Sequence, residues 1–345
     1  MRKVLLTIAA SILVAGSASA ADIAARPYTK APALSEPEWV LSAEGMAMWR
    51  GNFSRSGLVL NNDLPGIIDS SVTEPGNVAG GMRAYLEKNL GGGQSIELGG
   101  FFTTEASRSA LIISPGQNLF AAYTNDFNPA NPNFFNSADA YGARFGYSTQ
   151  MMGVEANYKM PFYALGPNVK WFGGVRWIRL KDKFSSTFYD EIDDFQGIDN
   201  GIDNTSISVT NNLIGAQIGL QGMAPIGGGF SIGGRGSFGL YANMIDRKFS
   251  FFSENGTTPL PLNPTNVNTS TTRFAQVVEL MPRIEYQVAR NWTVFAAGQF
   301  MYLNGVGDVL SGFGNFGQVP GGSFNSNASA TFYGASGGVK VSFNP

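Results

Sequence analysis

The sequence predicts an all-β protein, a transmembrane antiparallel up-and-down β-barrel of about ten strands. Three observations carry that prediction. From Leu41 onward, apolar residues recur at every second position in one segment after another, the pattern of strands with one apolar face. Charged residues are only 14% of the chain, against roughly 25% in ordinary soluble domains, whereas glycine (44) and phenylalanine (26) are abundant. Beyond the first twenty residues no stretch reads as a membrane helix. The long charge-free run 205–234 is interrupted by Asn211, Asn212, Gln217, Gln221 and Pro225. A chain that crosses lipid without helices must pair its backbone groups between strands and close the sheet on itself.

The chain opens with Arg2 and Lys3, an apolar stretch from Val4 to Ala15, and small residues at Ala18, Ser19 and Ala20. This is the arrangement of a secretory signal peptide with an A-x-A cleavage site, so residues 1–20 are expected to be removed. Residues 21–38 carry Pro27, Pro32 and Pro37 among many alanines and read as an extended periplasmic lead-in. The barrel is expected over 39–345.

The strands follow in order. The first sets Leu41, Ala43, Gly45, Ala47 and Trp49 on one face and Glu44, Met46 and Met48 on the other. The second sends Met82, Ala84 and Leu86 outward and Arg83, Tyr85 and Glu87 inward; Gly91, Gly92 and Gly93 then turn it into a third, with Ile96, Leu98 and Phe102 outward and Glu97 inward. The fourth alternates Val154, Ala156 and Tyr158 with Glu155, Asn157 and Lys159, and its upstream part from Tyr141 to Phe145 is expected above the membrane. The fifth alternates Trp171, Val175 and Trp177 with Phe172, Arg176 and Ile178; the sixth presents Ile214, Ile218 and Leu220. The seventh has Phe230, Ile232, Phe238 and Leu240 outward and Arg235 inward. The eighth has Val278, Leu280, Ile284 and Tyr286 against Glu279, Arg283 and Glu285. Arg290 and Asn291 turn into the ninth, from Trp292 to Tyr302, and the last runs from Tyr333 to Phe343.

Short turns near Gly92, Leu165, Gly227 and Arg290 alternate with long polar segments at 51–77, 105–140, 183–204, 247–272 and 305–327. Short periplasmic turns and long external loops are the asymmetry of outer-membrane barrels, and ten is an even number, as single-chain bacterial barrels have. A twelve-strand version needs one more hairpin within 105–140.

In this register the inward set holds six acids (Glu44, Glu87, Glu97, Glu155, Glu279, Glu285) and six bases (Arg83, Lys159, Arg176, Arg235, Arg283, Lys340). The outward faces are nearly free of charge, which matters because Arg or Lys facing lipid at mid-depth costs about 2–4 kcal/mol. Arg179, on the outward parity, is expected near the external interface. Trp39, Trp49, Trp177, Trp292, Tyr302, Tyr333 and Phe343 lie near strand ends, where interfacial aromatics belong. The inward charges either line a selective pore or form ion-paired struts. A ten-stranded barrel is only slightly wider than an eight-stranded one, whose interior side chains fill, so a largely filled lumen is favoured. Glu155, Arg176, Arg235, Glu279, Arg283 and Glu285 are the expected charge network.

The second half resembles the BBP-type outer-membrane β-barrels of Gram-negative bacteria. The resemblance rests on Gly174-Val175-Arg176-Trp177-Ile178-Arg179-Leu180, on Asn212 through Gly219, on Gly239-Leu240-Tyr241-Ala242-Asn243, and on Glu279 and Tyr286 before Asn291-Trp292-Thr293-Val294. It covers roughly 155–306. The lead-in from Ala25 to Pro32 is similar to mature starts of alphaproteobacterial outer-membrane proteins. The resemblance implies location and fold, and carries no catalytic residues. The chain departs from the usual barrel ending, because Asn344 and Pro345 follow Phe343.

Composition narrows the functional classes. With no histidine and no cysteine, the commonest general base and all thiol chemistry are absent, so no enzyme is expected, and no cofactor. Net charge is −2, which leaves no basic footprint for nucleic acid. The segment 183–204 gathers Asp190, Glu191, Asp193, Asp194, Asp199 and Asp203, oxygens suited to Ca²⁺ or Mg²⁺. Its spacing lacks the closing glutamate of an EF-hand, and a solvated loop meeting cations at the surface is the favoured reading; no specific metal site is expected. Expected partners are outer-membrane lipid, lipopolysaccharide and the barrel-assembly machinery, with the oligomeric state left open. Two functional readings remain: a narrow pore-forming or structural envelope barrel, and a surface adhesin or receptor acting through its external loops.

Overall fold

The computed structural model describes residues 37–51, 57–61, 67–69, 78–116, 119–121, 140–166, 168–189, 202–253, 265–310 and 326–344. The predicted signal peptide and nearly all of the lead-in lie outside them. In chain order the strands are β1 (Trp39–Gly51), β2 (Gly57–Asn61), β3 (Ile67–Asp69), β4 (Ala79–Gly91), β5 (Gln94–Thr103), β6 (Ala106–Ile113) and β7 (Leu119–Ala121). Then come β8 (Gly142–Pro161), β9 (Val169–Tyr189), β10 (Ile202–Gly227), β11 (Phe230–Ser253), β12 (Thr265–Ala289), β13 (Trp292–Val306) and β14 (Ala328–Phe343).

The main sheet runs β5-β4-β1-β14-β13-β12-β11-β10-β9-β8, and β5 pairs with β8 to close it. Every pairing is antiparallel, and β1 meets β14 along its whole length, from Trp39↔Phe343 to Gly51↔Thr331. β6 adds no further position to the ring. Phe102 pairs with Met152 and Ala106 with Thr149, so β6 continues β5 along the same partner strand after a one-residue bulge. The described ring therefore has ten staves. β2, β3 and β7 form a separate small sheet.

The turns at one end follow from local chemistry. Gly227, Gly228 and Gly229 all take positive φ (101°, 61°, 83°), a conformation that costs glycine nothing and other residues a clash. Tyr163–Leu165 forms a single 3-10 turn between β8 and β9.

Register fixes the dimensions. From Gly51, hydrogen-bonded partners lead through Thr331, Tyr302, Val278, Phe238, Ile218, Gly173, Tyr158, Ile96 and Lys88 back to β1 at Trp39. One circuit thus displaces the path by twelve residues along β1. Ten strands with that stagger imply a tilt of about 40° and a backbone radius of about 10 Å.

On the outside, aromatic residues ten apart mark two rims. Trp39 and Trp49 on β1, Phe343 and Tyr333 on β14, and Trp292 and Tyr302 on β13 repeat the same interval, with Trp49 stacked on Tyr333 at 6.2 Å. Ten residues span about 34 Å along a strand and about 25 Å after tilting, the height of an outer-membrane barrel's apolar band. Between the rims the outward side chains are exposed and apolar, among them Leu98, Val154, Val175, Ile214, Ile218 and Ile284.

β8 to β12 continue well past the upper rim, with 20 to 26 residues each, whereas β1, β4, β13 and β14 have 13 to 16. About 9–11 residues suffice to cross lipid. Above the rim the chemistry inverts without a change of register. Outward positions become polar (Asn204, Ser206, Asp246, Lys248, Asn266, Asn268), and inward ones become an apolar core. Phe145, Phe184, Phe188, Ile207, Val209, Ile245 and Phe249 pack together there.

Three expectations for the long external loops are corrected by this extension. Much of 183–204 and 247–272 is strand, belonging to β9, β10, β11 and β12, and 105–140 contains β6. Tyr141 to Phe145 stands above the rim, as expected. Arg179 pairs with Met152 and Asn212 at the upper rim, beside Trp177.

Candidate functional site

The lumen is the candidate site, and it is layered. The lowest layer, near the short turns, is a vestibule of about 470 Å³ whose lining includes Tyr85, Lys159, Arg235, Arg283, Glu285 and Lys340.

Above and around it lies a charge network drawn from opposite walls. Arg176 on β9 donates to Glu279 on β12 at 2.6 Å, and Arg83 on β4 donates to the other oxygen of Glu279 at 2.9 Å. Arg235 on β11 bridges two acids, Glu97 at 2.7 Å and Glu155 at 3.0 Å. Lys159 reaches Glu87 at 3.0 Å and also pairs with Glu97. Neutral groups complete the shell: Gln217 donates to Glu155 at 2.5 Å and to Asn157 at 2.9 Å, and Ser336 donates to Glu44 at 2.9 Å. Buried charges are tolerated only when paired and hydrogen-bonded like this. Ring faces support the cations: the Arg235 guanidinium lies 4.1 Å from the Phe172 centroid, and those of Arg83 and Arg176 lie 5.3 and 5.5 Å from Phe101.

Of the six residues predicted for this network, Glu155, Arg176, Arg235 and Glu279 sit together in it. Arg283 and Glu285 form a second group with Lys340, and no ion pair among the described residues joins that group to the first. Arg83, Glu44, Glu97, Glu87 and Lys159 belong to the main network, and the strand parity that placed them inward was the signal available for them. Lys170, paired with Glu87 at 3.4 Å, follows from the same parity, two residues before inward-facing Phe172 at the start of β9.

The next layer is apolar and crosses the barrel. Met46, Met48, Met151, Leu180, Leu213, Met301, Leu303 and Phe332 meet there, each at most 5% exposed. Unbranched methionine adapts to an irregular gap, which suits side chains converging from six strands. Over this layer Arg50 of β1 pairs with Asp182 of β9, nearly across the ring, and also donates to Thr149 at 3.2 Å. Beside them burial holds the Tyr147 phenol well above its ordinary range.

After β13 the chain folds inward. Val306, Asp308, Val309 and Leu310 are buried, the last two within the upper core. Asn211 clasps the backbone of Gly307 at both ends, accepting from its N–H at 2.6 Å and donating to its carbonyl at 3.1 Å. Asn243 donates to the Gly305 carbonyl at 2.9 Å. None of this was legible from the alternation, since 305–327 read as external loop.

The predicted cation loop falls largely outside the described residues, which exclude Asp190, Glu191, Asp193, Asp194 and Asp199. Asp203 lies in β10, paired with Phe188 and Ser253, and not in a loop. Among the described residues no cluster of acidic side chains could hold a metal ion.

No family model matches the chain, and no curated protein matches it in sequence. In shape it is similar to the outer-membrane protease OmpT of Escherichia coli, at 12% identity and TM-score 0.44, over 92% of this chain and 100% of that one. It is also similar to the translocator domain of the autotransporter NalP of Neisseria meningitidis (9%, TM-score 0.39, 88% of each). The toluene transporter TodX of P. putida is similar at 8% and TM-score 0.33, over 90% of this chain and 91% of that one. At scores this low the likenesses carry no argument about function. The barrel assignment rests on the closed ring itself.

Proposed function

We propose that this chain is an outer-membrane barrel with a structural role in the envelope, whose lumen is held shut. The observation that carries the reading is the apolar layer of Met46, Met48, Met151, Leu213, Met301 and Phe332. It spans the barrel above the charge network. The 25 Å belt between two aromatic rims supports the location. The resemblance to the BBP-type barrels implies the same location.

Planar-bilayer conductance of the refolded protein tests the closed lumen. Protein whose gel migration shifts on boiling, and is therefore folded, is expected to give no discrete steps. Repeatable steps would overturn the closed state. Recovery of the native protein in the soluble periplasmic fraction would overturn the location.

One observation favours a second reading, a narrow pore. The polar vestibule opens at the end with the short turns, and flexible methionines close the lumen above its charge network. A path past them must also part the apolar core above, and the same recordings would reveal it as brief, rare openings.

A further inference from the structure

On the outward face of β9, directly above Trp177, three cations follow one another at alternate positions: Arg179, Lys181 and Lys183. Register places their lateral neighbours. Arg179 lies between Met152 and Asn212, Lys181 between Gln150 and Thr210, and Lys183 between Ser148 and Ser208. This block of nine outward positions contains three positive charges, five neutral polar side chains and no acid. Among the described residues, neither Arg179 nor Lys181 enters an ion pair, and Lys183 has one exposed contact with Glu105 at 3.8 Å. By register, Asp246 is the next outward acid, opposite Thr210 on β11 and so two strands, or about 10 Å, from Lys181.

Like charges stacked on one face of a strand repel, and among the described residues the one exposed Lys183–Glu105 contact does not balance this row. Its position says what does. Val175 and Trp177 immediately below face the apolar belt, so the three cations rise from the lipid boundary in steps of about 5 Å along the barrel axis. The phosphates of an outer-leaflet lipid lie at that height. The flanking Ser, Thr, Asn and Gln side chains supply the hydroxyl and amide donors that a phosphorylated sugar headgroup takes.

We infer that Arg179, Lys181 and Lys183, with Asn212, Thr210 and Gln150, form a binding site for the phosphorylated headgroup of an outer-leaflet glycolipid. The inference rests on the outer-membrane reading above. Attraction to an anionic lipid surface is worth about a factor of five per basic residue, so the three together should contribute on the order of 100-fold.

The test uses the refolded full chain in phosphatidylcholine vesicles doped with bis-phosphorylated lipid A or with its dephosphorylated form. Retention of lipid A after extraction is compared with that of the phosphate-free lipid. The heat-modifiable gel shift reports insertion independently, so a failed barrel is distinguished from a failed site. Wild-type protein should retain the phosphorylated form preferentially. The R179Q/K181Q/K183Q variant should lose that preference, K181R/K183R should keep it, and K88Q, at the opposite rim, should leave it unchanged. Equal retention of both lipids by inserted wild-type protein overturns the site without touching the barrel assignment, and needs no variant. Full displacement by millimolar inorganic phosphate would show a site for free phosphate and overturn the lipid assignment.

Discussion

At the scale of single residues, depth in the membrane decides what a charge costs. Ile218 is 57% exposed and stands halfway along the path from the upper rim to the lower one. Ile218→Arg is expected to destabilise the inserted barrel by about 2–4 kcal/mol, whereas Val294→Arg, two residues from Trp292 at the lower rim, should cost about 0–1 kcal/mol. Urea titrations of refolded protein in vesicles check the pair; equal costs would mean the belt is misplaced. Inside, Glu279 holds two arginines with its two oxygens. Glu279→Ala leaves both short of a partner in a buried layer and should cost about 3–5 kcal/mol. Glu38→Ala removes only the exposed pair with Lys88, at 3.8 Å, and should change stability by less than about 1 kcal/mol in the same titration.

At the scale of elements, the lower halves of the strands were legible and the upper halves were not, for a physical reason. The sequence reading assumed that apolar residues face out, which holds only where lipid is outside. On each tall strand that rule reverses at a pair of adjacent apolar residues: Met151-Met152, Trp177-Ile178, Leu213-Ile214, Met244-Ile245 and Val277-Val278. In each pair one side chain faces out at the top of the belt and the other faces into the buried layer. Above the pair, Ser, Thr and Asn face water, and a run such as Asn204-Thr205-Ser206 looks like loop when alternation is scored in one phase. The charge network was half legible for the same reason: parity gave the faces, but which charges meet across the lumen depends on stagger. Nothing in the alternation pointed to the inward fold of 305–310, because its partners, Asn211 and Asn243, lie far away in sequence. Asn211→Ala should release that segment. The expected result is hydrogen exchange at Gly307 at least tenfold faster, with the lower barrel unchanged; uniform loosening throughout the barrel would count against a local clasp.

At the scale of the whole molecule, the wall is tall over six consecutive staves, β5 continued by β6 and then β8 to β12, and short over the other four, and its two heights have different solvents. The lower part behaves as a membrane protein with a polar interior, the upper part as a water-facing sheet with an apolar interior. Detergents that strip the belt should therefore leave the upper core folded. Limited proteolysis in mild detergent is expected to spare β8 to β12 above the rim, and early cleavage within 205–211 would contradict this.

The junction between β1 and β14 has a consequence in time. Its thirteen residue pairs, sealed at the base where the Glu38 N–H donates to Asn344 at 2.6 Å, join the first stave to the last. No hairpin grown from either end can complete the circle, so until Phe343 arrives the sheet keeps two raw edges. The ring can close only with β14 in place, and a chain cut before Ala328 is expected to keep two unpaired edges, zipping sideways onto another copy or waiting open for a chaperone.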